Sequence, residues 1–354
     1  MDPAQTVPRV LVVGCGGIGG VLLSRLLEAG QRVAAVARRE EIARVLQTRG
    51  PVLRDEKGER TIRGDLEVFV QPPPTGAHDF ILLATPPNGV EAAARDTAHL
   101  LAPEGAMVVF QNGLCEDLVA RVVGENKVIG AIVAWGASSP ETGVYERTSS
   151  GGIMLGTLSG TQDPRLARLA EVLRAVCPIT FTENLLGARW SKLAINCAIS
   201  TLGTVGGSRV GPLLRHRFIR RLAMEVITEV FQVARAEGVK LEKVASTVDL
   251  EWLTLKESEL RARGSLSLVV RHAMLLAIGA RYRRLRSSML AAIERGREPP
   301  VDFLNGEVVQ RGKAHGLPAP VNERLLEAVH AMSRRELAPG VETLQRIHEQ
   351  TRPR

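Results

Sequence analysis

The sequence predicts an α/β fold, in which an N-terminal doubly wound parallel sheet is followed by an all-helical C-terminal domain. The chain has 354 residues, more than the roughly 250–300 that one hydrophobic core usually holds. In the first half, short β-branched runs alternate with helical stretches. From Leu185 onward helical spacing dominates. We therefore place a domain boundary after Thr182 and predict domains at 1–182 and 183–354.

The first predicted unit is a strand, a glycine loop and a helix. Val10–Val13 is a β-branched run, and glycine-rich residues 14–20 follow it. Val21 to Ala29 has leucines at helical spacing and ends before Gly30, a typical stop signal. A second strand is predicted at Arg32–Ala37. Together these elements form the start of a βαβ unit.

Further apolar runs alternate with helical stretches in the same way, and they predict the remaining strands of the sheet. Pro72–Pro74 marks a surface loop between two of these elements. The remaining predicted strands are Phe80–Ala84, Met107–Phe110, Val128–Ala134, Gly151–Leu155 and Ile179–Thr182.

The net charge and the late arginines indicate which classes of molecule the protein could bind. The net charge of +8 favours anionic partners. Tyr282 is nearly alone as a stacking aromatic among the late arginines, so we expect no nucleic-acid binding. A solvated arginine-rich helix face is the simplest interpretation, and binding of an anionic ligand is the alternative. The arginines of this cluster are Arg281, Arg283, Arg284, Arg286, Arg295 and Arg297.

Cysteine spacing and hydropathy argue against a disulfide-rich, metal-binding, secreted or membrane-spanning protein. The four cysteines are scattered and form no CxxC pair, so we expect neither a disulfide framework nor a metal site. The N-terminus lacks the basic region of a secretion signal. The most apolar later stretch, Leu266 to Ala280, contains Arg271 and His272 and is too short to span a bilayer. We expect a cytoplasmic protein without a membrane partner.

The glycine loop has the spacing of a dinucleotide-binding turn. Gly14, Gly16 and Gly19 form a G-x-G-x-x-G pattern between a predicted strand and a predicted helix. The first glycine allows the tight turn, the second lets the backbone approach a pyrophosphate, and the third permits close helix–strand packing. Free N–H groups of the helix N-terminus would bind the phosphates. We assign Gly14, Cys15, Gly16, Gly17, Ile18 and Gly19 to the cofactor site.

The end of the second strand indicates which dinucleotide would bind. An enzyme that uses NAD has an acidic residue there to bind the ribose hydroxyls, whereas this chain has Arg38-Arg39. A guanidinium suits the additional 2′-phosphate of NADP. Glu40 and Glu41 follow at once, so the prediction of NADP depends on where the strand ends. Two solvated arginines are the alternative.

A polar stripe in the second half has the spacing of a catalytic helix face. Lys192, Asn196 and Ser200 occur at i, i+4 and i+8 in an otherwise nearly apolar stretch. A buried lysine is costly without a partner, and partial desolvation makes it a better proton donor near neutral pH. A lysine whose chain lies along the edge of a core helix is the alternative.

Six separated segments, in this order, resemble the ketopantoate reductase family over nearly the whole chain. The central one is the Trp-x-Lys-Leu-x-x-Asn pattern that begins at Trp190. The segments are Gly14–Gly19, Gln111–Gly113, Trp190–Asn196, Ser287–Met289, Asp302–Gly306 and Ala314–Pro320.

The resemblance implies NADPH-dependent reduction of a 2-keto acid, with 2-dehydropantoate reduced to pantoate for pantothenate biosynthesis, or a related branched substrate. Lys192 matches the family's catalytic lysine, which hydrogen-bonds the carbonyl oxygen and protonates the alkoxide. Arg38 matches an arginine that binds the 2′-phosphate, and Gly136 matches a backbone contact to the cofactor. Asn112 matches a residue at the junction of cofactor and substrate. The positions that match substrate-binding residues are Asn112, Asn196, Ser200 and Ser288.

Three departures from the family pattern leave the substrate open. Pro300 stands where the family usually has glutamate, two residues before Asp302. Ser200 replaces the family's second asparagine, and Pro86 begins a proline pair where a lysine is common. Two alternatives follow: a dinucleotide-binding sensor or scaffold that has lost catalysis, and a diverged reductive aminase.

The chain also has additional residues around Arg263–Arg286, which suggest an added helical hairpin. This segment could cover a cleft, form a contact in a homodimer, or simply decorate the surface.

Overall fold

The computed structural model describes residues 7–242, 250–261, 265–281, 283 and 285–352. The chain divides into two compact units, Met1–Leu185 and Leu186–Arg354. This division falls within three residues of the predicted boundary at Thr182. Part of the additional segment, including Arg263, Tyr282 and Arg284, lies outside the described residues.

The first unit contains a large sheet flanked by helices. Its strands are β1 (Val10–Val13), β2 (Val33–Val36), β3 (Val52–Asp55), β4 (Gly58–Thr61), β5 (Leu66–Phe69), β6 (His78–Leu83), β7 (Leu101–Val109), β8 (Val128–Val133), β9 (Ala137–Glu141), β10 (Val144–Arg147), β11 (Ile153–Thr157) and β12 (Ile179–Phe181). Its helices are α1 (Gly17–Glu28), α2 (Glu40–Thr48), α3 (Val90–Thr97), α4 (Glu116–Val123) and α5 (Pro164–Leu173).

The strand order confirms the predicted doubly wound fold. The large sheet runs β12-β11-β8-β7-β6-β1-β2-β5. From β5 to β8 every pairing is parallel. The chain therefore winds in one direction from β1 to β5 and in the other from β6 to β8, which is the Rossmann arrangement. All four residues of β1 are buried, as expected for a strand covered on both faces.

The sheet is mixed at one end, where the prediction assumed parallel strands throughout. Strand β11 pairs with β8 in the antiparallel direction. Parallel neighbours need a long crossover, usually a helix. Between β8 and β11 the chain instead forms the β9–β10 hairpin, so it re-enters the sheet in the opposite direction.

A second, smaller sheet in this unit was not predicted. It has the order β4-β3-β10-β9 and packs against α1. Tyr145 of β10 lies directly against Gly20 of α1, where a Cβ atom would overlap the tyrosine ring. The strands of this sheet are short and several are exposed, so they show no clear alternation in the sequence.

Over its described residues the second unit is helical, as predicted. Its helices are α6 (Leu185–Ile195), which begins at the last residue of the first unit, α7 (Thr201–Val205), α8 (Val210–Leu213), α9 (Arg217–Ala236), α10 (Glu257–Arg261), α11 (Leu266–Arg281), α12 (Ser288–Glu294), α13 (Glu307–Ala314), α14 (Pro320–Ser333) and α15 (Val341–Thr351). No helix within the described ranges combines the length and the apolarity needed to cross a bilayer.

Among the described residues of this unit there are two π turns. Asn196–Ser200 joins α6 to α7, and Asp302–Gly306 leads into α13. The first lies within a continuous helical path, and the second begins the path that continues as α13. Such turns often occur at functional sites, because they change the direction in which side chains leave a helix.

Candidate active site

The glycine loop lies at the point where the direction of winding reverses. Gly14 follows β1 and has a φ of 100°, a conformation that favours glycine. A Cβ atom at Gly14 would lie 2.8 Å from the backbone nitrogen of Thr85, just beyond β6. The loop therefore rests against the chain leaving the neighbouring strand. Ligands of doubly wound folds bind at this edge of the sheet, outside the carboxyl ends of the strands.

Gly16 and Gly19 have different surroundings. Gly16 is exposed before the first turn of α1, and a Cβ atom there would have no neighbour within 4 Å. Gly19 is buried, and its Cβ would overlap the carbonyl oxygen of Gly14. No side chain caps α1, and its first turn has no acidic residue. The helix N-terminus is therefore open on the side of Gly16, where a phosphate could be bound.

The other loop residues are held by the core. Cys15 is buried, and its thiol donates to the carbonyl of Val36 at 3.8 Å, which joins the loop to β2. Burial raises the pKa of Cys15 to about 12, so the thiol stays protonated. Gly17 lies close to the backbone of Ala137, and Ile18 is half-buried against the core. These residues can contribute only backbone groups to a ligand.

Arg38 lies just beyond β2 and is exposed. The strand ends at Val36, Ala37 is buried, and Arg38 donates to Asp96 of α3 at 2.9 Å. Glu40 and Glu41 follow only in the first turn of α2. The first charged side chain after the strand is therefore a guanidinium.

Gln111 and Asn112 follow β7 at the same edge. Gln111 is buried and donates to the carbonyl oxygen of Thr85 at 2.9 Å. Thr85 is also the residue that Gly14 approaches, so the ends of β1, β6 and β7 are joined there. Asn112 is exposed. The structure therefore brings the predicted Asn112 to the edge that carries the glycine loop.

Gly136 follows β8 and is half-buried. Its N–H group donates to the hydroxyl of Ser149 at 2.8 Å, and its carbonyl accepts from Thr148 at 2.9 Å. Both backbone groups of Gly136 are therefore hydrogen-bonded to residues that flank the β9–β10 hairpin. A contact between Gly136 and a cofactor would need at least one of these bonds to be shared or exchanged.

The predicted polar stripe forms one face of the second unit's first helix. Lys192, Asn196 and Ser200 are half-buried, together with Ile195 and Ile199, while the residues between them are buried. The face spans α6 and the π turn. It combines an ammonium, an amide and a hydroxyl with two branched apolar side chains.

Asn196 has an unusual feature within this face. Its side-chain nitrogen Nδ2 is buried and has no hydrogen-bond acceptor among the described residues. An unsatisfied buried N–H donor costs about 1–3 kcal/mol. Such groups are uncommon in folded proteins and usually have a functional or solvent partner.

Ser200 and Ser288 are brought near each other through their neighbours. The Thr204 hydroxyl donates to the carbonyl of Ser200 at 2.8 Å and forms a 2.7 Å hydrogen bond with the Ser287 hydroxyl. Ser287 also caps α12 by accepting from the backbone of Met289. Ser288, in the first turn of α12, is exposed. Ser287 is therefore the residue that positions α12, and the predicted Ser288 is beside it.

A buried polar network supports the π turn that contains Asn196 and Ser200. Thr201 donates to Asn305 at 2.6 Å, Asn305 donates to Asn322 at 2.8 Å, and Asn322 donates to Glu229 at 2.7 Å. Backbone N–H groups of Val321 and Asn322 also donate to the Glu229 carboxyl. Burial raises the pKa of Glu229 to about 7, although these hydrogen bonds oppose the shift.

This network was not predicted from the sequence. Asn305 lies in the Asp302–Gly306 segment, but the pattern alone did not say what it contacts. The signal for Glu229 was a carboxylate placed between apolar residues of α9, where Val226 and Val230 are buried; Glu225 precedes it by one turn. A charged residue at such a position needs a buried partner.

The region of Pro300 contains no substitute for the missing glutamate near the buried network. Asp302 is largely exposed, and its carboxylate accepts a hydrogen bond from the ring nitrogen Nε2 of His330 at 2.9 Å. Glu298 is exposed. Pro300 itself is half-buried and offers no side-chain donor or acceptor.

Comparison with known protein families shows to which family the chain belongs. Residues 10–160 match the family described as ketopantoate reductase PanE/ApbA, and residues 184–333 match its C-terminal domain. The chain belongs to the ketopantoate reductase family. This confirms the resemblance inferred from the motifs. The family consists of nicotinamide-dinucleotide-dependent reductases, so the protein is an oxidoreductase.

Individual relatives extend over nearly the whole chain. A 2-dehydropantoate 2-reductase of Pyrococcus abyssi is 27% identical over 321 residues, which are 89% of this chain and 94% of the relative. The uncharacterized oxidoreductase YkpB of Bacillus subtilis is 26% identical over 91% of this chain and 97% of its own length.

Solved structures share the fold. A PanE/ApbA family ketopantoate reductase from Ralstonia eutropha has a TM-score of 0.76 and 24% identity, covering 93% of this chain and 99% of that one. A D-mandelate dehydrogenase, solved with NADH and anilino(oxo)acetate, has a TM-score of 0.78 and 18% identity over 93% of this chain and 99% of that one. At these identities the similarity concerns the fold alone.

Proposed function

We propose that the protein reduces a 2-keto acid to a 2-hydroxy acid with NADPH, with 2-dehydropantoate as the first candidate substrate and pantoate as its product. A related branched 2-keto acid is the second candidate. The observation that carries the proposal is the half-buried face of Lys192, Asn196 and Ser200, in which the Asn196 amide has a buried donor without an acceptor among the described residues. A substrate carboxylate or hydroxyl would supply that acceptor.

The first unit would hold the dinucleotide. The open N-terminus of α1 beside Gly16 fits a pyrophosphate, because nothing lies within 4 Å of a Cβ built there and no side chain caps the helix. Gly14 and Gly19 would keep the loop close to the sheet, and the backbones of Cys15, Gly17 and Ile18 would complete it. Bound NADPH would supply the hydride.

Arg38 supports a preference for NADPH over NADH. It is exposed and is the first charged residue after β2, so a 2′-phosphate could accept its N–H groups in place of the Asp96 carboxylate. The glutamates at 40 and 41 lie in the first turn of α2 rather than at the strand end. An acidic residue at the strand end would repel the phosphate.

Lys192 would act as the proton donor. An ammonium on a half-buried helix face can hydrogen-bond the ketone oxygen and protonate the alkoxide as negative charge develops there. Its surroundings on α6 are mainly apolar, which strengthens such an interaction relative to water. Lys192 is therefore the proposed catalytic residue.

The neighbouring residues would determine how the substrate lies. Asn196 and Ser200 offer an amide and a hydroxyl, and Ile195 and Ile199 give the same face an apolar surface that suits a branched alkyl group. Ser288 would add a hydroxyl from α12. In the first unit, Asn112 would contact both cofactor and substrate, and Gly136 would contribute a backbone contact to the cofactor.

Steady-state assays on the full-length protein test the proposal. Oxidation of NADPH would be followed with 2-dehydropantoate and with other branched 2-keto acids, and repeated with NADH. We expect turnover with at least one 2-keto acid and a lower KM for NADPH than for NADH. Binding of NADPH without consumption across the panel would contradict the proposal and favour a sensor or scaffold.

Two further experiments test for a reductive aminase and for the cause of any altered substrate preference. Product analysis with and without an added amine distinguishes a 2-hydroxy acid from an amino acid, and an amine-dependent product would indicate a reductive aminase. Pro300→Glu tests whether the missing carboxylate determines substrate preference. An increase in kcat/KM for 2-dehydropantoate relative to the other keto acids is expected, and an unchanged ratio would place the determinant elsewhere.

A further inference from the structure

Four buried polar side chains of the second unit form a chain of hydrogen bonds in which every donor points the same way. The Thr201 hydroxyl donates to Asn305 Oδ1 at 2.6 Å, and Asn305 Nδ2 donates to Asn322 Oδ1 at 2.8 Å. Asn322 Nδ2 then donates to Glu229 Oε2 at 2.7 Å. We call this chain the Glu229 relay. The carboxylate sets its direction, because a charged carboxylate can only accept hydrogen bonds.

The Glu229 end of the relay is surrounded by donors. Besides the Asn322 side chain, the backbone N–H groups of Val321 and Asn322 donate to the two carboxylate oxygens, each at 2.9 Å. Burial favours the protonated form and raises the pKa of Glu229 to about 7, although these hydrogen bonds favour the charged form. Both protonation states are therefore populated near neutral pH.

Two other titratable side chains face Glu229 among the described residues. The π turn presents the thiol of Cys197, whose pKa is raised by burial and by the nearby Glu229 carboxylate. On α9 itself Glu225 lies one turn earlier; burial raises its pKa, and its ion pair with Arg221 at 2.6 Å opposes the shift. The described contacts of α14 with Glu229 come from uncharged donors.

Charged or titratable groups on the other elements that pack on α9 are engaged elsewhere. They are His272 of α11 with Arg220, Arg311 of α13 with Glu307 and Glu237, Glu251 with Arg235, and His348 of α15 near Arg352 and Arg221. The protonation of Glu229 therefore acts mainly through the relay.

The Thr201 end of the relay adjoins the proposed substrate-binding face. Thr201 directly follows the π turn Asn196–Ser200. In an α-helix, residues eight positions apart lie about 80° apart around the axis, because one turn has 3.6 residues. The wider π turn holds more residues per turn and so brings Ser200 back toward the line of Lys192. The shape of this turn therefore decides whether the amide and the hydroxyl reach the same substrate as the ammonium.

Protonation of Glu229 gives the relay a second, reversed arrangement. The O–H of the carboxylic acid can donate to Asn322 once that amide turns over, and the same exchange passes through Asn305 to Thr201. The Thr201 oxygen then becomes an acceptor, and its O–H is released to donate to a backbone carbonyl of the preceding turn. Hydroxyl bonds of this kind compete with the helix ladder and often bend it. Reversal of the relay therefore acts on the π turn itself.

We propose that Glu229 is a positioning residue, which holds the π turn in its substrate-binding shape through the relay when it is charged and releases the turn when it takes up a proton. Substrate affinity is thereby linked to pH, although Glu229 does not itself act on the substrate. This role rests on the proposed reductase function, because it concerns the same substrate-binding face. Lys192 lies before the π turn, so the relay affects binding of the keto acid more than proton transfer.

The pH dependence of steady-state kinetics tests the proposal. The assay uses saturating NADPH and the 2-keto acid that the protein turns over best. As the pH decreases through about 7, kcat/KM should fall about fivefold, which corresponds to the loss of one hydrogen bond. The change should lie in KM, with kcat constant within about twofold. In Glu229→Gln, which stays uncharged, kcat/KM should remain at the low value at every pH.

Matched variants separate positioning from a general loss of structure. Glu225→Gln neutralises a second buried glutamate of α9, which lies outside the relay, and should keep the pH dependence of the original protein. Thr201→Val removes the other end of the relay and should raise KM about fivefold near neutral pH, while Thr201→Ser keeps the hydroxyl and should restore the original KM. A merely structural role would not separate these pairs.

Hydrogen–deuterium exchange provides a readout that does not need turnover. Slightly above neutral pH, the backbone amides of residues 196–205 should exchange at least about threefold faster in Glu229→Gln than in the original protein. Glu225→Gln should exchange at the original rate. If no 2-keto acid is reduced, the proposed function fails, and the exchange rates still decide whether the relay controls the π turn.

Three kinetic results would overturn the proposal. They are a Glu229→Gln variant that keeps the pH dependence of the original protein, a Glu225→Gln variant that loses it equally, and a fall that lies in kcat alone. Equal exchange rates of residues 196–205 in the original protein and both variants would overturn it as well.

Discussion

The hydroxyl of Thr201 donates to the side-chain oxygen of Asn305 over 2.6 Å and thereby joins the two π turns of the second unit. Thr201 follows the turn that contains Asn196 and Ser200, and Asn305 lies inside the other turn. Both residues are fully buried. The proposed substrate-binding face is consequently supported by a hydrogen bond between elements far apart in sequence.

Thr201→Val should reduce the stability of the folded protein. The change keeps the shape of the side chain but leaves Asn305 without its donor in a buried site, which should lower the free energy of unfolding by about 1–3 kcal/mol. Urea unfolding measures this. Thr48→Val is the control, because its exposed hydroxyl donates only to the carbonyls of Arg44 and Val45 in its own helix, and it should cost less than about 0.5 kcal/mol. Equal stabilities of the two variants would contradict the role given to Thr201.

Glu229 should make stability depend on pH. Its pKa rises from 4.5 to about 7 on folding, because burial disfavours the charged carboxylate. The folded chain therefore holds this proton more tightly than the unfolded chain. The contribution to stability is complete below pH 4.5 and is lost as the pH rises through 7.

The Glu229→Gln variant isolates this effect. Glutamine stays uncharged, so the stability of the original protein relative to the variant should fall between about pH 5 and pH 7, with a slope of at most about 1.4 kcal/mol per pH unit. Urea unfolding of both proteins over this range provides the measurement. A relative stability that rises with pH would show that the folded state prefers the charged carboxylate.

Lys192→Ala should remove most turnover while leaving NADPH binding intact. One positioned general acid contributes about 10²–10⁴-fold to kcat, and the first unit, which would bind the dinucleotide, is unchanged. Steady-state kinetics and fluorescence titration with NADPH separate the two effects. Lys313→Ala, which removes an exposed lysine paired with Glu323 at 2.7 Å, is the control. Unchanged kcat in the first variant would exclude Lys192 from the mechanism.

Arg38 and Asp96 should affect the choice of dinucleotide in opposite directions. Arg38→Ala should raise the KM for NADPH about tenfold, because a charge-assisted contact to phosphate is lost, with little change for NADH. Asp96→Asn should lower the KM for NADPH, since it removes the carboxylate that competes for Arg38. Arg32→Ala, at an exposed arginine paired with Glu67, should leave both values unchanged. An effect of Arg38→Ala that is equal for NADH and NADPH would argue against a 2′-phosphate contact.

Two glycines of the loop should respond differently to alanine. Gly16→Ala meets no neighbour within 4 Å and has an ordinary φ of −84°, so stability should be kept. Its methyl group would stand on the open side of the loop, and the Kd for NADPH should rise at least about tenfold. Gly19→Ala would overlap the carbonyl of Gly14 and should lower the free energy of unfolding by about 1–3 kcal/mol. Unfolding and NADPH titration of both variants distinguish the roles; a Gly16→Ala variant that binds NADPH normally would contradict the placement.

The part of the candidate site that depends on local spacing was predictable. The polar face of Lys192, Asn196 and Ser200 follows from positions four residues apart, and the wide turn between the last two does not separate them. Pairing partners were not predictable. The contact of Arg38 with Asp96 and that of Gln111 with Thr85 each join different elements, and neither has a local signal.

The sequence by itself determined the doubly wound first unit, the helical second unit and the family, because strand–glycine–helix spacing and ordered motifs are properties of neighbouring residues. Only the tertiary structure revealed the second sheet, the network from Thr201 to Glu229 and the exposed apolar residues of α11, such as Val270. The physical reason is that hydrogen bonds and burial between distant segments depend on how helices and strands pack. An apolar residue such as Val270 looks the same in the sequence whether the fold covers it or leaves it exposed.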